Sequence, residues 1–257
     1  MDGRSEADAI AVEQVARALA ACASLSAGPD GRLSRRAEAL NDALSFMAGP
    51  DAPTPRALGP RVCALARHAA GRLADDAGAD PSVGGADFDA AMSAYDAMDA
   101  VVTALGGKPE LLAGDDDWDL PPEAGPDLVP AEGLAETAGT AAMFARDALT
   151  HAGPGPSSAM MRRDAGLAVA SALCLRAALA DGTGCPVAML EPVVSGAGAA
   201  LSRLGEAVAA WRASGTGRPG GSALEGVARA ASSAASVLSE LDAEIRGAGP
   251  VAGAHRV

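Results

Sequence analysis

Aromatic residues supply only 2% of the chain, and isoleucine and threonine are sparse. Strands favour these residue types, so their scarcity argues against a sheet protein. Lysine is nearly absent: Lys108 is the one example, and every other basic residue is arginine. A single lysine leaves little room for the usual phosphate-transfer machinery, and no GxxxxGK[ST] loop is present. The chain also lacks a GxSxG elbow, an SxxK pair and an HExxH helix. None of its four cysteines, Cys22, Cys63, Cys174 and Cys185, forms a CxxC pair. Zinc spacing is therefore missing. Three of the thiols sit within apolar helical patterns as buried residues. Cys185, beside Pro186 at a helix start, is the one expected to be reactive.

Long apolar runs are missing too. "AGLAVASALCL" (165–175) and "PVVSGAGAALS" (192–202) each reach eleven residues, whereas a membrane span needs about 20. The opening "MDGRSEADAIAVEQ" is acidic and carries no run resembling a secretion signal. A cytoplasmic, reducing setting with no membrane partner is expected. Positive charge is also short: 20 basic residues against 33 acidic ones leave a net charge of −13. Phosphate neutralisation needs clustered cations, so the balance argues against a nucleic-acid surface, although a local arginine stripe remains compatible with it.

What the chain has in abundance is alanine, the best helix former. With 257 residues and an apolar fraction of 49%, it can bury a real core of small side chains. The expected class is all-α: a bundle of about eight mostly antiparallel helices, divisible into two four-helix halves or built as one domain. Helix one covers 7–26, with Val12, Val15, Leu19 and Cys22 spaced three and four apart. A second helix aligns Leu33, Leu40, Leu44 and Met47. Pro60 suits the first turn of a third, striped by Leu58, Val62, Leu65, Ala69 and Leu73. The fourth reads through Phe88, Met92, Tyr95, Val102 and Leu105. A fifth spans 130–152. The sixth, 157–180, is apolar on nearly all sides, which marks a central helix. The clearest stripes come last. Leu190, Val194, Ala197, Leu201, Leu204, Val208 and Trp211 face Leu224, Val227, Ala231, Ala234, Leu238, Leu241 and Ile245. Joined by a glycine-rich connector, they describe an antiparallel hairpin. The expected division is a bundle at 1–107, a connector at 108–130, a second bundle at 131–248 and a tail at 249–257.

The connector contains "DDDWD". From Pro109 to Ala145 the chain carries nine acidic residues and no basic one. A calcium loop needs glycine at its sixth position and glutamate at its twelfth. Counting from Asp115 gives Leu120 and Pro126, so the pattern fails. The segment reads as a solvated strap in which Trp118, flanked by Asp115, Asp116 and Asp117, docks on a surface of this chain or of a partner. Arginines form the complementary cluster: Arg32, Arg35 and Arg36 in "RLSRR", followed by Arg56, Arg61, Arg67 and Arg72, with Arg162 and Arg163 opening helix six. They are either solvated helix faces or the counter-surface for the acidic strap, within one molecule or between two.

The three histidines, His68, His151 and His255, carry no ligand spacing. His68 lies among Arg61, Arg67 and Arg72, a poor setting for a metal. His151 ends a helix, where a cation suits the dipole. Asp89, Asp96 and Asp99 form a solvated acidic face with Tyr95 at its edge, and no DDxxD array. "GTGRPGGS" (215–222) is an interhelical turn with Ser222 as cap. No cofactor or metal ion is expected. These absences point to a non-catalytic, self-associating helical scaffold or assembly protein that binds itself or another protein. Two alternatives stay open. One is a small helical enzyme with an apolar interhelical pocket that uses Asp, Arg and Tyr side chains. The other is a coat-type subunit that meets nucleic acid through a local arginine patch.

Overall fold

A buried alanine occupies little space, so alanine-lined helices approach closely and each buries only modest area. Many helices must then share one core. The computed structural model describes residues 6–25, 32–107, 128–129, 133–153, 158–180, 185–213 and 221–247, and these form nine helices and one two-residue strand pair. The N-terminal elements are α1 (Glu6–Ala23), α2 (Arg32–Met47), the single turn α3 (Pro55–Leu58), α4 (Pro60–Ala79) and α5 (Gly85–Ala104). They are followed by β1 (Leu128–Val129), α6 (Leu134–Ala152), α7 (Ala159–Leu179), β2 (Cys185–Pro186), α8 (Val187–Ala213) and α9 (Gly221–Gly247).

Local chemistry sets several of these boundaries. Thr54 caps α3, its Oγ1 accepting from the Ala57 amide at 3.4 Å, with Pro55 in the first turn. Gly59 then turns the chain at φ +85°, a conformation costly for residues with a Cβ, and Pro60 opens α4 as expected from the sequence. A second left-handed glycine, Gly133 at φ +84°, delays the start of α6 to Leu134, four residues beyond the expected position. β1 and β2 pair antiparallel, Leu128 opposite Pro186 and Val129 opposite Cys185. This contact was not expected. Proline is compatible with it because the pair is only two residues long, with no central strand to interrupt.

The helices pack as two rings. α1 contacts α2 and α5, while α4 contacts the same two helices from the other side. Likewise α6 and α8 each contact both α7 and α9. The rings join through α7, which also packs on α2, α3 and α4, and through α8 against α4. Buried residues of both rings form one hydrophobic cluster. The nearly uncharged helix α7 is thus central, with neighbours on most sides. In α8, Leu190, Val194, Ala197, Leu201, Leu204 and Val208 are buried, and in α9 Val227, Ala231, Ala234, Leu238, Leu241 and Ile245 match them. Arg246, at the end of α9, reaches Glu191, at the start of α8, over 3.1 Å, so the hairpin is antiparallel.

Helix α5 differs from its expected stripe. Ala91, Ala94, Met98 and Val101 are fully buried, whereas Phe88 is 38% exposed and Met92 and Tyr95 are half-buried. The helix buries three alanines and two valines with Met98 and leaves its aromatic residues at the rim, because a close crossing has no space for a phenyl ring. The same closeness recurs at two glycines. A Cβ on Gly226 of α9 would lie 2.7 Å from the His151 ring of α6, and one on Gly166 of α7 would lie 2.9 Å from Pro53 Cδ. Among the described residues, no helix is long and apolar enough to cross a membrane.

Candidate functional site

Helix α4 brings most of the N-terminal charge together. Arg36 of α2 is fully buried, and its Nε donates to Asp76 Oδ2 at 2.9 Å. Burial lowers its pKa to about 10 against the opposing pull of Asp76. One and two turns before Asp76 on α4 lie Arg72 and His68. The His68 Nε2 is enclosed and makes no hydrogen bond among the described residues. Burial first, then the charges of Arg72, Arg36 and Arg67, push the His68 pKa down to about 4. The imidazole is therefore neutral at pH 7. Arg67 faces α5: its Nε donates to Asp99 Oδ1 at 2.6 Å and its Nη2 to the Tyr95 hydroxyl at 2.6 Å. The guanidinium carbon also lies 5.0 Å from the Tyr95 ring centre, within cation–π range. Gly71 leaves room for that ring, because a Cβ there would be 3.3 Å from it.

This cluster contains Asp, Arg, Tyr and His, yet its geometry does not suit proton transfer. Asp99 and Tyr95 are both held by Arg67, and an imidazole with a pKa near 4 is a weak base at neutral pH. Among the described residues, no group of three His, Cys, Asp or Glu side chains could hold a metal. Nor are the thiols poised for attack. All four cysteines are buried, and burial pushes Cys22, Cys63 and Cys185 up to about 12 and raises Cys174 as well. The reactive role expected for Cys185 is corrected by its burial; nearby Arg72 offsets only part of the penalty for ionising it.

Further ion pairs continue the pattern from helix to helix. Arg176 of α7 meets Asp42 of α2 at 2.8 Å, and Arg203 of α8 grips Asp164 of α7 through two donors at 3.1 and 2.9 Å. Together with Arg36–Asp76, Arg67–Asp99 and Arg246–Glu191, they link α5, α4, α2, α7, α8 and α9 in an unbroken series. Most of the pairs are partly exposed, so solvent screening leaves each of them little net stability. Their shared effect is directional: each one matches a residue on one helix to a residue on the next.

The residues singled out from the sequence divide accordingly. Arg35 stands exposed on α2, whereas Arg36, its neighbour in sequence, points inward to Asp76. Arg32 begins α2. Asp115, Asp116, Asp117 and Trp118 lie outside the described residues, as does the expected contact between the acidic strap and the arginines. The aspartate partners of the arginines, Asp42, Asp76 and Asp164, were not anticipated. The available signal was a charge set inside an apolar stretch, as with Arg176 in α7.

Among the described residues, cavities open beside this framework. A polar cleft of about 390 Å³ is lined by Phe46, Asp51, Arg146, Leu149, Thr150, Gly153 and Arg162. Arg162 pairs with Asp51 and donates to the Gly153 carbonyl at 3.1 Å. Arg146 lies 5.9 Å from the Phe46 ring centre, and the Thr150 hydroxyl donates back to the Arg146 carbonyl at 2.9 Å. The cleft therefore contains cations and one committed hydroxyl, without a base placed to activate it. Another cavity, of about 260 Å³, is apolar and lies between the α3–α4 corner, α7 and α8. No family model matches the chain, and comparison with curated proteins and with solved structures gives no match.

Proposed function

We propose that the protein is a non-catalytic helical scaffold of the cytoplasm that associates with further copies of itself. One observation carries this reading. Most of the ion pairs of the described helices run from one helix to the next, and the polar cleft at Asp51, Arg146 and Arg162 holds no base placed to activate a nucleophile. Such pairing suits a body that holds its shape and presents its exterior. Arg35, exposed and without an ion pair among the described residues, supplies positive charge on that exterior. The stretch 109–145, with nine acidic residues and no basic one, supplies the complementary charge for a second copy.

Sedimentation velocity at low and high salt tests the reading. The expected result is a mass that is a multiple of 25.1 kDa and falls toward the single-chain value as salt screens the charges. Substitution Arg35→Glu should shift the low-salt mass the same way. A 25.1 kDa particle at every concentration and salt level would rule self-association out.

A further inference from the structure

The apolar cavity lies where helix α4 begins, and that beginning lacks a cap. Gly59 has no side chain to offer, Pro60 has no amide hydrogen, and the first helical bond of α4 runs from the Cys63 amide to the Gly59 carbonyl at 3.4 Å. The amides of Arg61 and Val62 are thus left without an acceptor within the helix, at the lip of a cavity that both residues line. The positive end of a 20-residue helix dipole lies at the same place. Arg61 is exposed there and makes no ion pair among the described residues.

Ser171, on the cavity wall from α7, gives a separate indication. It is 1% exposed, and its hydroxyl makes no hydrogen bond among the described residues. Helical hydroxyls commonly return to the carbonyl four residues back. Elsewhere in this chain Ser93, Thr140 and Ser202 do so, to Asp89, Glu136 and Gly198 at 2.8, 3.0 and 3.1 Å. Ser171 keeps its hydroxyl for the cavity. The rest of the wall is apolar: Leu58, Val62, Leu167, Pro192 and Val193. Gly196 of α8 is exposed and leaves the cavity mouth open, since a Cβ there would meet nothing within 4 Å.

We propose that this cavity binds a small amphiphilic carboxylate. The acyl chain lies between α4, α7 and α8, and the carboxylate sits at the α4 N-terminus beside Arg61, with Ser171 as a further donor. One cation and two amides suit a singly charged head better than a phosphate dianion. Volume sets the length. A cavity of about 150 Å³ holds the six carbons of benzene, so by proportion about 260 Å³ holds about ten non-hydrogen atoms, the size of octanoate.

Isothermal titration of the full chain with octanoate tests the proposal, with octan-1-ol as the uncharged control. The expected result is one octanoate per chain, with octanol weaker by about tenfold because it lacks the charge-assisted hydrogen bonds. Gly196→Leu, which sets a side chain across the cavity mouth while improving helix propensity, should weaken binding at least about tenfold, with circular dichroism confirming retained helicity. Arg61→Glu, at an exposed position that leaves the core untouched, should weaken octanoate about tenfold and octanol little. No saturable octanoate binding at millimolar concentration overturns the proposal. So does equal affinity for octanol, or octanoate binding that persists unchanged in Arg61→Glu. None of these results depends on the mass of the particle, so the ligand site and self-association stand or fall separately.

Discussion

Acidification should destabilise this protein through His68 as pH falls from 6.5 towards about 4. The imidazole is held near pKa 4 against an ordinary value of 6.5, chiefly by burial and then by Arg72, Arg36 and Arg67. Because the unfolded chain binds that proton more readily, stability rises with pH across the interval between the two values and is lost as pH falls through it. Asp76 and Asp99 are engaged with Arg36 and Arg67, so they do not rescue a protonated imidazole. With those two pKa values, moving from pH 7 to pH 5 removes about 2 kcal/mol. Urea unfolding followed by circular dichroism is the assay. For an m-value of about 3 kcal/mol/M, toward the large end for urea, the midpoint falls by roughly 0.7 M. His68→Gln removes the titration and retains a polar side chain of similar reach, so the variant should lose less by about that amount. His151 and His255 are present in both proteins and cancel in the difference. Equal losses in wild type and His68→Gln, or no loss in wild type, would refute the reasoning.

Two further outcomes follow from close packing. Gly226→Ala forces a Cβ into the His151 ring and should destabilise the α6–α9 contact by about 1–3 kcal/mol, as overpacking does. In a His151→Ala background the same change should be neutral or slightly stabilising, since alanine is the better helix residue; a penalty that survives there would place its origin elsewhere. The buried cysteines, with ionisation opposed by desolvation, should resist Ellman's reagent at pH 8 until denaturant is added. Fast labelling of native Cys185 would contradict its burial.

Where a stripe of large residues alternates steps of three and four, as in α8 and α9, the buried face was legible from the sequence. Burial then depends on a local period that the helix itself imposes. The central place of α7 was equally legible, because an apolar circumference needs neighbours all round. Helix α5 was read less well. Hydropathy ranks Phe88 above Ala91, but a close helix crossing selects for small volume, so alanine went inside and phenylalanine to the rim. Cys185 was read as reactive because it stands beside Pro186 at a helix start, yet it is buried and its segment pairs with residues 128–129. Arg36 could not be separated from Arg35 by composition. One position of helical rotation, about 100° of turn, divides an exposed cation from a buried one.

The sequence by itself determined that the chain is helical, roughly where its helices run, and which faces of the strongest ones are covered. These follow from alanine's backbone preference and from a period repeated every few residues, both local properties. Only the tertiary structure decided which arginine meets which aspartate. The partners are 40, 32 and 134 residues apart for Arg36–Asp76, Arg67–Asp99 and Arg176–Asp42. Coulomb energy depends on distance in space, and the chain between two charges carries no record of that distance. The cavity at Gly196 has the same origin: a glycine in a helix is only a missing side chain until the neighbouring helices fix what surrounds it.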